Sequence, residues 1–83
     1  MTYDKIKSSE SVTIGTKQAV KMIEQGVASE VFIANDADSS ISIRIVSLCN
    51  KMGVRVTYVD SMKSLGKACG IEVGAAVVAI KHE

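Results

Sequence analysis

The fold is decided by residues 30–59, EVFIANDADSSISIRIVSLCNKMGVRVTYV. The apolar run Val31–Ala34 has the length of a β-strand that is buried on both faces of a sheet. After a polar turn, apolar residues recur at spacings of four, three and four as far as Gly53, which predicts an amphipathic helix. The alternation of residues 54–58 then predicts a second strand. Strand, helix and strand of these lengths predict a right-handed parallel crossover.

Shorter elements flank this crossover on both sides. Residues 4–9 predict a short opening helix, and a second helix begins at residues 15–18, after an extended pair at Val12 and Ile14. Downstream, residues 61–68 predict a further helix and Ala75–Ile80 a closing strand. The class is therefore α/β, a three-layer α/β/α sandwich of about four helices on a mixed four-stranded sheet. With 83 residues and no proline or repeat, we expect residues 1–83 to form one domain.

Composition excludes several classes of protein. Ten Lys and Arg against nine Asp and Glu leave a formal charge of +1, so overall charge predicts neither a nucleic-acid nor a membrane partner, although a local patch remains possible. The chain has no apolar run of transmembrane length. Its polar N-terminus is unlike a signal peptide, so a cytoplasmic location is expected.

The residue types needed for catalysis are sparse. The single histidine, His82, lies one residue from the end, which argues against a histidine acid or base and a multi-histidine metal site. Cys49 and Cys69 lack CxxC spacing and are interpreted as reduced, half-buried core residues. Asp36 and Asp38 could hold a divalent cation, but their turn before a helix favours N-capping. We expect no enzyme, cofactor or metal.

Gly66-Lys67 does not complete a phosphate-binding loop. That motif needs a glycine where Ser61 stands and a hydroxyl where Ala68 stands. The three glycines at fourfold spacing from Gly66 to Gly74 are interpreted as a helix end and a turn.

Two segments are not explained by folding alone. The first is Gly15-Thr16-Lys17-Gln18 with Lys21 one turn further on. The dipole at a helix N-terminus disfavours cations and favours an anionic ligand, so these lysines suggest that something negative binds there. The second segment is Gly70-Ile71-Glu72-Val73-Gly74, whose apolar residues are either a binding surface or a plug in the core.

Three motifs in this order, Ile14–Gln18, Val31–Asp38 and Leu65–Gly74, resemble the L7Ae family of kink-turn RNA-binding ribosomal proteins. The small bacterial stand-alone members of the YbxF type are the most similar. The resemblance implies an α/β/α sandwich that binds RNA bent sharply by a bulge and tandem sheared G·A pairs. It implies that Gly15–Gln18 enters the major groove at those pairs and that Gly70–Gly74 covers the bulged nucleotides.

One difference from the family affects the expected base contacts. Archaeal and eukaryotic relatives commonly have Asn-Glu where this chain has Lys17-Gln18. Because lysine cannot accept a hydrogen bond, the resemblance transfers the position of the site but not its bonding pattern.

The sequence thus predicts a monomeric protein that captures kinked RNA, ribosomal or riboswitch, by population shift, with no DNA or membrane partner. A rival interpretation is a protein-interaction module anchored by Ile71 and Val73. A second rival, a small enzyme for a phosphate ligand, is weakened by the missing catalytic motifs. The expected RNA-binding residues are Gly15, Thr16, Lys17, Gln18, Lys21, Gly70, Ile71, Glu72, Val73 and Gly74.

Overall fold

A computed structural model describes residues 12–81 of the chain. The helix expected at residues 4–9 and the lone His82 lie outside these residues. The described residues form three helices and four strands in the order β1 (Val12–Ile14), α1 (Thr16–Glu24), β2 (Ala28–Ala34), α2 (Ser39–Met52), β3 (Arg55–Val59), α3 (Met62–Ala68) and β4 (Val77–Lys81).

The four strands form one mixed sheet in the order β1-β4-β2-β3. β2 and β3 are parallel, with Val31 opposite Val56, and α2 connects them. β4 is antiparallel to both of its neighbours, β1 and β2. The predicted mixed sheet and the parallel pairing of the crossover strands are confirmed.

Each face of the sheet packs against helices, which gives the three predicted layers. Along β2, Val31 and Ile33 contact one core and Phe32 the other, because successive side chains of a strand point to opposite faces. The first core includes Ile23 of α1 and Ile45 of α2. The second core includes Leu65 of α3. The sequence correctly identified β2 as a strand that is buried on both faces.

Some details differ from the sequence prediction. The closing strand begins at Val77 rather than Ala75, because the Ala75 N–H donates to the carbonyl of Met62 in α3. On α2, Cys49 is fully buried rather than half-buried. Met52, the last residue of that helix, is 41% exposed although its spacing predicted a core position.

Candidate nucleic-acid interface

Every described helix begins at the same end of the sheet. Strands β1, β2 and β3 run in one direction, since β1 and β2 are both antiparallel to β4 and β3 is parallel to β2. Each of them is followed by a helix, and β4 starts at this end as well. Ligands of open α/β sheets bind at the carboxyl ends of the strands, so this end is where a site is expected.

The start of α1 is held in place by its backbone. The N–H of Gly15 donates to the carbonyl of Val77, at the first residue of β4, over 3.0 Å. Gly15 has φ 112° and ψ 146°, a conformation that essentially only glycine adopts. Within residues 12–81 no side chain caps this helix, so its first-turn N–H groups lack the acceptor that an N-cap side chain supplies.

The side chains at the start of α1 make it a positive surface. Lys17 and Gln18 are exposed and Thr16 is half-buried, and the first turn contains no acidic residue. Lys21 is also exposed and follows Lys17 by one helical turn. The positive end of the helix dipole and two lysines therefore face solvent together, an arrangement that favours an anion.

The segment of residues 70–74, called here the 70–74 loop, is fastened to α3 at both ends. The N–H of Ile71 donates to the carbonyl of Gly66 over 3.1 Å, and the N–H of Ala75 donates to that of Met62 over 2.9 Å. Gly70 begins the loop with φ 78°. These bonds hold the loop against the helix that precedes it in the chain.

Gly66 allows the close approach between α3 and the loop. It is buried inside α3, and a Cβ at this position would overlap the carbonyl oxygen of Val73 and lie 3.2 Å from the Cα of Gly74. Interpreting the three glycines as a helix end and a turn does not account for this contact, because Gly66 lies inside α3, which continues to Ala68. The regular spacing of the glycines was visible in the sequence. The contact that requires Gly66, however, is between α3 and the 70–74 loop and not within a turn.

The two apolar side chains of the 70–74 loop have different surroundings. Ile71 is half-buried and packs against the second core, whereas Val73 is 70% exposed. Glu72 is exposed as well. The core-plug alternative thus describes Ile71, which packs against the core. Val73 faces solvent and is available as a binding surface.

The structure brings the two candidate segments to one end of the molecule. Val77, which accepts from Gly15, follows the 70–74 loop by three residues, and the intervening Ala76 carbonyl accepts from the N–H of Ala34 at the end of β2. The start of α1 and the loop thus lie on either side of the first residues of β4. Of the predicted residues, Lys21 lies furthest along α1 from this junction and lines a groove between the helices.

That groove, called here the α1–α2 groove, includes residues that the sequence analysis missed. One part, of about 450 Å³, is lined by Thr16, Lys17, Val20, Lys21, Glu24 and Arg44. The adjoining part, of about 350 Å³, is lined by Val20, Glu24, Arg44, Ser47, Leu48 and Lys51. The spacing of Arg44, Ser47 and Lys51 places them on one helical face, which is the pattern that could have revealed them.

The acidic turn before α2 has a structural use. The Asp38 carboxylate accepts from the N–H of Ser40 over 2.9 Å and from its hydroxyl over 2.7 Å, and these bonds lower the pKa of Asp38. Asp36 accepts from the N–H of Met62 at the start of α3 over 2.7 Å. The N-capping interpretation of Asp38 is confirmed, and Asp36 ties the same turn to a second helix.

Residues 12–81 offer little support for a metal site, a reactive thiol or a membrane-spanning helix. That range contains no cluster of three or more His, Cys, Asp or Glu arranged to hold a metal ion. Cys49 and Cys69 are free thiols, and burial raises the pKa of each, which disfavours the reactive thiolate. Among the helices described, none combines the length and the apolar character needed to cross a membrane.

Comparison with known proteins gives consistent matches over the whole chain. The model of the ribosomal protein L7Ae/L30e/S12e/Gadd45 family matches residues 2–83. An RNA-binding protein of Bacillus pumilus (strain SAFR-032) is 50% identical over 80 residues, which cover 96% of this chain and 98% of that protein. The RNA-binding protein YbxF of Geobacillus stearothermophilus is 49% identical with the same coverage.

Two solved structures have a similar fold. The Giardia lamblia 15.5kD RNA binding protein superposes with a TM-score of 0.87 at 29% identity, over 98% of this chain and 68% of that one. A protein of unknown function from Bacillus halodurans C superposes with a TM-score of 0.86 at 21% identity, over 96% and 80% of the two chains. The second match bears on the fold alone.

Proposed function

Because the chain belongs to the ribosomal protein L7Ae/L30e/S12e/Gadd45 family, we propose that it recognises and stabilises kink-turn motifs in structured RNA. It is an RNA-binding protein and not an enzyme, in keeping with the names of its relatives. The observation that supports the finer proposal is that residues 15–18 and the 70–74 loop lie at the same end of the sheet, where the N–H of Gly15 donates to the carbonyl of Val77, three residues after the loop.

The start of α1 is suited to reading base edges. The major groove of regular A-form RNA is too deep and narrow for side chains, so a helix end can enter it only where the duplex is opened by a kink. Lys17 is exposed at this position and can donate to guanine O6 and N7. Gln18 offers both a donor and an acceptor, and the positive helix end attracts nearby phosphates.

The 70–74 loop is suited to covering unstacked nucleotides. Val73 presents an exposed apolar surface, which can pack on bases and exclude water without selecting a particular base. Glu72 can accept from a base amine or a 2′-hydroxyl, the contact that distinguishes RNA from DNA. Ile71 supports the loop from below through its contacts with the second core.

Binding of this kind acts on an equilibrium between open and kinked RNA. A protein that contacts both the G·A pairs and the bulge binds only the kinked state and so increases its population. The formal charge of +1 gives little general attraction to RNA. Selectivity therefore comes from the fit of the two segments, and the natural target can be any transcript that forms the kink.

The test compares one kink-turn RNA with the same RNA in which the G·A pairs are replaced by Watson-Crick pairs. We expect the wild-type protein to prefer the kinked RNA by about 10³-fold or more, the lower range for specific over non-specific binding. A fluorescence measurement of the RNA bend angle should show bending upon addition of protein. Equal affinity for the two RNAs would contradict the proposal.

A protein-interaction module remains the second candidate because Val73 is so exposed. In that case a partner protein would cover Val73, and the Val73→Ser variant would bind kink-turn RNA with unchanged affinity. The RNA proposal expects this variant to bind every kinked RNA more weakly.

We further propose that the protein acts as a monomer. The large apolar side chains that the described residues expose are distributed over several elements, and they are Ile14, Ile43, Met52, Tyr58 and Val73. Light scattering should give a mass close to 8.8 kDa. A dimeric mass would contradict a monomer.

A further inference from the structure

The α1–α2 groove has a composition that suits an anionic polymer. Its rim carries four cationic side chains, Lys17, Lys21, Arg44 and Lys51, against one carboxylate, Glu24. The chain as a whole has nearly equal numbers of the two charges, so this groove concentrates positive charge. A cleft lined mainly by one sign of charge raises the local concentration of ligands of the opposite sign.

The two helices present their cations in matching rows. Lys17, Lys21 and Glu24 follow one face of α1 at spacings of four and three. Arg44, Ser47 and Lys51 follow one face of α2 at spacings of three and four. Both helices run from the same end of the sheet, so the rows lie side by side, and Arg44 to Lys51 covers about 10 Å along the helix axis.

The floor of the groove supports the charged rim. Val20 and Leu48 are half-buried there and form an apolar surface on which the alkyl stems of lysine and arginine can lie. The residues lining the groove include no aromatic side chain that could stack on a base. A polymer in this groove is therefore held through its charges rather than its bases.

The groove is continuous with the proposed base-reading site. Thr16 and Lys17 lie at the start of α1 and also line the 450 Å³ part of the groove, while Val20, Glu24 and Arg44 line both parts. An RNA bound at Lys17 can therefore also contact Lys21, Arg44 and Lys51 along the same groove. This continuity favours RNA over an acidic peptide as the occupant.

We propose that the α1–α2 groove binds the phosphodiester backbone of the same RNA, so that the interface extends from the start of α1 to Lys51. The inference rests on the proposed function for the identity of the ligand. It adds Arg44 and Lys51 as phosphate contacts that fix the orientation of the RNA. It also assigns Glu24 an opposing role, because its carboxylate repels the phosphates that pass it.

The experiment measures the salt dependence of binding for the double variant Arg44→Gln/Lys51→Gln. Each lost phosphate contact in a duplex flattens the slope of log K against log salt by about 0.9, so the double variant should lose about 1.8 units. A slope difference of that size corresponds to about 60-fold in affinity over a tenfold change in salt. The variant should keep the wild-type preference for kinked over Watson-Crick-paired RNA.

The matched control removes two positive charges elsewhere. Lys63 on α3 and Lys81 at the end of β4 are exposed and do not line the groove. The Lys63→Gln/Lys81→Gln variant has the same net charge as the groove variant and should keep the wild-type slope. Thermal unfolding of both variants checks that each is folded.

A third variant tests the groove in the opposite direction. Glu24→Gln should bind kinked RNA several-fold more tightly at low salt, a gain that loss of a structural contact would not produce. A wild-type slope in the groove variant, an equal loss in the control, or unchanged affinity in Glu24→Gln would each overturn the inference.

The outcomes separate this inference from the proposed function. Wild-type protein that fails to prefer kinked RNA rejects the proposed function, whatever the slopes show. If that preference holds and the groove variant retains the wild-type slope, only the groove inference is rejected. Binding of a hexaglutamate peptide that the groove variant loses, together with unchanged RNA binding, would assign the groove to an acidic protein partner instead.

Discussion

The two halves of the proposed interface depend on glycine for different reasons. At Gly15 the space around a Cβ is open, with no atom within 4 Å, but the backbone conformation with φ 112° is strained for any other residue. At Gly66 the helical backbone is ordinary, but a Cβ would overlap the carbonyl of Val73. One glycine is needed for its own conformation, and the other is needed for the room it leaves to a neighbour.

This difference shows how each half is held. The start of α1 depends on one backbone conformation and one bond to β4, so its side chains can change without disturbing the fold. The 70–74 loop depends on contacts with α3, which lies beneath it. Changes in α3 should therefore damage the loop half of the interface and leave the helix half intact.

The largest effect is expected from Gly66→Ala. The added methyl meets backbone atoms that cannot rotate away, so we expect the free energy of unfolding to fall by about 3 kcal/mol, the upper end of overpacking costs. This loss outweighs the roughly 1 kcal/mol that alanine gains over glycine inside a helix. Urea unfolding measures it.

The comparison variant is Gly15→Ala, which adds the same methyl where there is space. Its cost comes only from the strained backbone, about 2 kcal/mol, the middle of the range for a sparsely populated backbone conformation. Should the two variants lose equal stability, the distinction between a conformational and a spatial requirement would be lost.

Lys17→Ala tests the helix half by binding rather than by stability. Removal of a base contact should weaken kink-turn binding by about 2 kcal/mol. The melting temperature should stay the same or rise slightly, because a cation is removed from the positive end of a helix. Calorimetric titration and thermal unfolding measure the two quantities, and a folded variant with normal RNA affinity would exclude Lys17 from the site.

Ile71→Ala and Val73→Ala compare a half-buried and an exposed residue of the 70–74 loop. Because Ile71 is half-buried, its truncation should lower the free energy of unfolding by about 1 kcal/mol. The exposed Val73 should change stability by less than about 0.5 kcal/mol while weakening RNA binding without altering its salt dependence. The same loss of stability in both variants would mean that the loop packs as one unit.

The last variant, Asp38→Ala, belongs to neither half of the proposed interface. The folded chain lowers the pKa of Asp38 below its ordinary value of 3.8, so this cap stabilises the protein fully above that value and is lost as pH falls through the folded pKa. Thermal unfolding should show the variant slightly less stable at pH 7 and equal to the wild type in strong acid. A stability difference that persists in acid would show that the charge of Asp38 is not its source.

Much of this architecture followed from local patterns. The apolar run of β2, the helical spacing of α2 and the alternation of β3 predicted the parallel pair. Each kind of burial gives a different sequence pattern: a continuous apolar run for a strand buried on both faces, a spacing of three or four for a helix, and alternation for a strand with one better-buried face. The cap at Asp38 and the glycine start of α1 were also visible, since both act within a few residues. The motifs that mark the two site segments could likewise be identified from their order in the chain.

Other features were decided only by the tertiary structure. The overlap that requires Gly66, the different burial of Ile71 and Val73, and the extension of the basic groove to Lys51 all involve segments that are distant in sequence or that belong to different elements. Sequence periods report which face of an element is apolar, but they do not report the distance between two backbones or which exposed rows lie opposite each other. Those quantities are set by how the helices pack on the sheet.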